Sequence, residues 1–172
     1  MRLLLVNPNT SRHITERLAL SAHGALPPGA QLTALTADHG PAAVRSPEEL
    51  QAAAERVLAM TLAHRADHDA VLIGISLDCG LAATRAACAP TPVVGMTEAA
   101  CLAALQIGPR FGVLTLGAAM ANSYREHVCD LGFADALVGV AAPECPAAFA
   151  AEPGAVLPEV LDTLASAAQP LC

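Results

Sequence analysis

The sequence predicts an α/β fold, a parallel sheet flanked by helices and built as two pseudo-symmetric halves. Three observations carry that expectation. Short, almost wholly apolar runs recur at Arg2–Val6, Ala70–Ile75, Pro92–Met96 and Phe111–Leu116, as expected of strands covered on both faces. Segments of helical periodicity separate them, which implies right-handed crossovers between parallel neighbours. The order strand, helix, strand, helix then begins again at Arg110.

Taken in order, Arg2–Val6 ends in Asn7-Pro8-Asn9-Thr10-Ser11. Pro8 disfavours helix at Asn7, and Thr10 or Ser11 can cap a helix beginning just after them. Ser11–Gly24 reads as that helix, with Ile14, Leu18 and Ala22 on one face and Gly24 at its end. Gln31–Thr36 alternates like a strand. Ser46-Pro47-Glu48-Glu49 predicts a helix start, with Ser46 as cap, Pro47 at the first position and Glu49 closing a capping box, and the helix running to about Arg65. Leu81–Cys88 is a helix, and Thr97 is expected to cap another over Glu98–Ile107.

In the second half Met120–Leu131 reads as a helix, Ala136–Ala141 as a strand and Gly154–Ala168 as a helix. Leu3 and Val71 open the first and third strands, and the same interval counted from Phe111 runs past Cys172. The halves are expected to be residues 1–108 and an incomplete 109–172, an arrangement whose exposed apolar face favours a homo-oligomer.

Composition narrows the partners. Aromatic residues are 2% of the chain, too few to stack bases, and a formal charge of −7 with no Lys leaves no basic stripe for phosphates. Nucleic acid is therefore excluded as a partner. No apolar run is long enough to span a bilayer, and nothing at the start reads as a signal peptide. Six cysteines without a CxxC pair read as reduced thiols of a cytoplasmic protein. The partner expected is a small molecule.

Ligands of open α/β sheets sit outside the carboxyl ends of the strands. That rule selects Asn7–Ser11, Ser76–Gly80, Thr97–Glu98 and Thr115–Gly117. The first offers amides, hydroxyls and free N–H groups at a helix start, suited to an oxyanion, though plain turn chemistry explains the same residues. Cys79 stands at a strand-to-helix corner, where the helix dipole favours thiolate and Asp78 opposes it. The alternative for Cys79 is a small buried hydrophobe. Cys88, Cys101 and Cys129 fall inside helices. His64 and His68 share a helical face but lack a third ligand, so no metal is expected. Without GxGxxG, Walker A or GxSxG motifs, neither nucleotide cofactors nor serine hydrolysis is indicated.

Four segments together resemble the Asp/Glu racemase superfamily, in its hydantoin racemase branch. They are Asn7-Pro8-Asn9-Thr10-Ser11; Asp78-x-Gly80-Leu81 with Arg85; Pro92-Val93-Val94-Gly95 with Glu98-Ala99-Ala100; and Arg110 to Thr115. The resemblance implies an isomerase that racemises or epimerises an amino acid, hydantoin or related compound without a cofactor, using two cysteines on opposite faces of the α-carbon. It places the first of these at Ile75, which cannot move protons. Cys79, one helical turn later, is the substitute this chain offers. The second belongs on the third strand of the second half, and Cys172 is no obvious replacement. On this reading Cys79 is the catalytic acid/base, and Asn7, Thr10, Ser76 and Thr115 contact substrate oxygens. The alternative is a truncated, non-catalytic protein of that family that binds a small carboxylate.

Overall fold

The computed structural model describes residues 1–150, 155 and 157–171. Two compact units divide the chain, Met1–Met96 and Thr97–Cys172.

The first unit runs β1 (Arg2–Asn7), α1 (Arg12–Ala25), β2 (Gln31–Thr36), α2 (Pro47–His64), β3 (Ala70–Ile73), α3 (Leu81–Cys88) and β4 (Val93–Gly95). Its four strands are all parallel, in the order β2-β1-β3-β4. The apolar runs become the inner strands. Leu4, Leu5 and Val6 of β1 and Val71 and Ile73 of β3 are fully buried, with Val57 of α2 in the same core. The alternating Gln31–Thr36 becomes the edge strand, where only one face needs covering.

Local chemistry sets the helix starts. Ser11 Oγ accepts from the Ile14 N–H at 3.3 Å, and Ser46 Oγ accepts from the Glu49 N–H at 3.2 Å. Glu49 reaches back to the N–H of Arg45 at 2.6 Å, one residue before the cap, so the expected box closes one position early. Gly24 does not end α1: the helix continues to Ala25, and Leu26 N–H bonds Ala22 O. Thr97 is not a cap either. β4 passes straight into α4 (Met96–Ile107), which puts Thr97 inside the first turn. The third strand stops at Ile73 because Gly74 begins the turn away from the sheet.

After α4, the second unit holds β5 (Phe111–Leu114), α5 (Ala121–Val128), β6 (Leu137–Ala141), α6 (Pro146–Ala150) and α7 (Pro158–Ala168). β5 and β6 pair in parallel, with a bulge between Phe111 and Gly112 that leaves Val138 unopposed and exposed. Gly112 and Gly139 lie under Leu171, where a Cβ on Gly112 would come within 2.8 Å of the Leu171 Cβ. Phe111 and Phe133 meet edge to face at 6.2 Å. The helix expected over Met120–Leu131 is divided: α5 ends at Val128, and a π-type turn over Cys129–Phe133 comes next, with Gly132 at φ 89. Of the last helix, Gly154 lies outside the described residues and Pro158 opens α7. Among the described residues no helix is long and apolar enough to cross a membrane.

Candidate active site at the carboxyl edge of the first sheet

The strand order β2-β1-β3-β4 creates a switch point between β1 and β3. After β1 the chain crosses to β2 on one side; after β3 it crosses to β4 on the other. The loops at the carboxyl ends of β1 and β3 therefore part and leave a crevice, the usual ligand position in such sheets. They are Pro8–Ser11 and Gly74–Gly80. At the root of the crevice Gly74 N–H bonds Val6 O at 2.8 Å, and a Cβ on Gly74 would crowd Leu18, Leu5 and that carbonyl at 3.1–3.2 Å. A side chain there would force these neighbours to give way.

Asn7 is completely buried. Its Nδ2 donates to Asn9 Oδ1 at 3.0 Å and Thr15 Oγ1 at 2.9 Å, and its Oδ1 accepts from the Asn9 N–H at 3.1 Å. Asn9 Oδ1 also accepts from the Ser11 N–H at 3.0 Å, and Thr15 Oγ1 lies 2.6 Å from Thr36 Oγ1. Buried amides need partners, and here they find them in each other and in the loop backbone. The Asn7 amide is thus committed to shaping the loop. Thr10 is half-buried; its N–H bonds Pro41 O at 3.0 Å and its hydroxyl reaches Gly40 O at 3.5 Å.

The β3 loop turns tightly. Asp78 adopts φ 47, its N–H bonds Ile75 O at 2.9 Å, and its carbonyl accepts from the Leu81 N–H at 3.0 Å. Its carboxylate is buried against Gly95, the last residue of β4, where any Cβ would overlap it. Gly80, at φ 79, precedes α3 so closely against α2 that a Cβ would lie 2.8 Å from Ala54 O. Ile75, Ser76 and Cys79 are half-buried on this turn.

The expected thiolate is not formed at Cys79. Burial, above all, and then the charge of Asp78 push its thiol up to about 12, against the opposing pull of its own backbone hydrogen bond and of Arg56. The helix-dipole expectation fails because Gly80, not Cys79, holds the cap position of α3, and desolvation is the larger effect. At neutral pH Cys79 is a protonated thiol.

Asn7, at the end of β1, and Thr10, Ser76 and Cys79, on the loops, therefore stand at one edge of one sheet. Thr115 belongs to the second unit, half-buried just after β5, with its N–H on Ala141 O at 2.9 Å. Cys145 is buried in that unit, and Cys172 lies outside the described residues. His68 uses both ring nitrogens structurally, on His64 O at 2.8 Å and Thr33 Oγ1 at 2.9 Å. Sequence reasoning missed Arg56. Its Nε donates to Pro8 O at 2.9 Å, beneath the loop after β1. No spacing or motif marks this arginine, because it meets the loop only across 48 residues of chain.

The fold and this edge define a racemase-like α/β protein, and comparison agrees. The family model for Asp/Glu/Hydantoin racemase matches residues 3–171, so the chain belongs to that family. Among solved structures it is similar to the allantoin racemase from Klebsiella pneumoniae, with 29% identity and a TM-score of 0.78 over 83% of this chain and 58% of that one. The allantoin racemase from Pseudomonas fluorescens gives 25% identity and the same TM-score, 0.78, over 99% of this chain and 68% of that one. Glutamate racemase from Campylobacter jejuni subsp. jejuni shares the fold at 17% identity, TM-score 0.52, over 83% and 56%. The chain thus spans 58% of the length of the Klebsiella protein. No curated protein matches the sequence significantly.

Proposed function

We propose that this protein is a cofactor-independent isomerase that inverts the α-carbon of an amino acid or of a cyclic ureide such as a hydantoin or allantoin, with Cys79 supplying one of the two proton-transfer groups. The observation that carries the reading is the family match over residues 3–171, joined to a thiol on the loop at the β1/β3 switch point. In such a reaction one group takes the α-proton, the electron pair passes into the neighbouring carbonyl as an enolate, and a second group returns a proton from the opposite face. A thiol that is protonated at neutral pH suits the second role, so Cys79 is the proton donor. Ser76, on the same turn, and Thr10, on the loop after β1, would donate hydrogen bonds to the enolate or carboxylate oxygens. Asn7 would act through the loop it shapes. A small-molecule substrate, a cytoplasmic setting and a homo-oligomer complete the proposal.

A second reading has its own support. Ile75 and the high pKa of Cys79 leave the turn without a ready base, which favours a protein that binds a small carboxylate without turning it over. Deuterium exchange at the α-carbon of an enantiopure 5-substituted hydantoin, with aspartate and glutamate in parallel, separates the two. Exchange that falls by about a hundredfold or more in Cys79→Ser supports catalysis. Binding without exchange supports the second reading, and exchange indifferent to Cys79→Ser removes Cys79 from the mechanism.

A further inference from the structure

Arg56 of α2 lies against the loops after β1 and β2, and its hydrogen bonding is incomplete. Nε–H is spent on Pro8 O at 2.9 Å, which ties it to the loop after β1. The loop after β2 lies flat on the guanidinium: Gly40, at φ 109, comes so close that a Cβ would stand 2.9 Å from Cζ and 3.1 Å from Nη2. Thr10 latches this second loop to the first through Pro41 O and Gly40 O. Nη2 is buried and has no hydrogen-bond partner among the described residues. Leaving a charged donor desolvated and unmatched is costly, more so than for a neutral group. A guanidinium in that state is a seat for an anionic oxygen, which would meet it in charge and in geometry.

We propose that Arg56 is a substrate-binding residue whose Nη2 takes a carboxylate oxygen, admitted when the Asp38–Pro41 turn lifts off the guanidinium. The inference rests on the small-acid reading of this edge and sharpens it, since it gives the ligand a free carboxylate. Asp38 and His39 at the tip of the turn are exposed, so lifting it uncovers Arg56 without opening the apolar core. Gly40 matters because a Cβ there would meet the guanidinium end of Arg56 at 2.9 Å, on a backbone at φ 109 that side chains rarely adopt.

The test uses the whole chain with acetate as probe and acetamide as its neutral counterpart. Binding is followed by titration, and opening by hydrogen exchange of the Thr10 amide that bonds Pro41 O. Acetate is expected to bind and acetamide not, with exchange at Thr10 quickened by acetate. Arg56→Met should weaken acetate by about tenfold or more. Arg56→Lys, which keeps the charge but lacks the forked guanidinium, should weaken acetate severalfold; this variant decides the matter if Arg56→Met does not fold. Acetate bound equally by the parent and by either Arg56 variant overturns the proposal, as does no preference over acetamide. These outcomes are independent of isotope exchange: a protein without turnover can still bind acetate through Arg56, and an active one can still bind it elsewhere.

Discussion

The two units solve the same local problem with different materials. In each, a strand is followed by a loop and a helix, and the next strand pairs in parallel. Each also ties the loop after its first strand to a proline carbonyl after its second: Thr10 N–H to Pro41 O at 3.0 Å, and Gly117 N–H to Pro143 O at 3.1 Å. The first unit then braces its loop with the buried Asn7, Asn9 and Thr15 and the half-buried Thr36. Among the described residues the second has no such network. Its loop turns on Gly117 at φ 91, and the exposed carboxylate of Glu144 caps the Ala118 N–H at 2.7 Å. The strands differ in the same sense. β1 has a partner on each side and four consecutive buried residues, whereas β5 pairs with β6 alone, among the described residues, and leaves Gly112 and Leu114 exposed. A polar network is worth most where water is excluded, so the rigid loop accompanies the buried strand.

The largest effect is expected where that network is cut. Asn7→Ala strands the Asn9 N–H in the interior and takes one donor from the Thr15 hydroxyl, and should cost about 2–4 kcal/mol in urea denaturation. Glu144→Ala, which removes the corresponding contact of the second unit at the surface, should stay within about 0.5 kcal/mol. Equal losses would erase the contrast. The glycines give an intermediate test. Gly80→Ala combines a left-handed backbone with a collision against Ala54 O and should cost about 3 kcal/mol, while Gly117→Ala meets nothing within 4 Å and carries only the backbone strain, about 1 kcal/mol. The ordering, read from melting curves of both variants, is what the comparison requires.

At neutral pH the smallest effect is that of the Cys79 titration, which appears only in alkali. The Cys79 thiol is raised from 9.0 to about 12, so the folded protein holds this proton more tightly than the unfolded chain. Its contribution to stability is complete below about pH 9 and is lost as pH rises toward about 12. Cys79→Ser should therefore flatten the alkaline limb of the stability curve and leave neutral pH unaffected by this titration. Alkylation of Cys79 should correspondingly keep accelerating through about pH 10, whereas a thiol of ordinary pKa would level off. A plateau near about pH 9 would show that burial does not govern this thiol.

Much of this was legible in the residues. Arg2–Val6 could be read as an inner strand because three successive buried apolar residues fit only a doubly covered sheet, and Gln31–Thr36 because alternation fits an edge. Ser11 and Ser46 marked helix starts because their caps are made within three residues. Thr97 looked the same and was not, since whether a strand runs directly into a helix depends on how the chain must turn over the sheet. The resemblance in the Asn7–Ser11 and Asp78–Leu81 segments led to the family that the comparison confirmed, for those motifs are local in sequence.

What tertiary structure alone decided are the quantities set by distant chain. The protonation of Cys79 depends on burial and on Arg56 in another helix as well as on adjacent Asp78, so the corner position by itself misled. Asn7 is spent on the interior because Thr15 and Thr36 come to it across the fold. Arg56 meets Pro8 and Gly40 only once α2 has packed behind the sheet. Backbone periodicity and capping are short-range and can be read along the chain; desolvation and charge act through space, and space is fixed only by the fold.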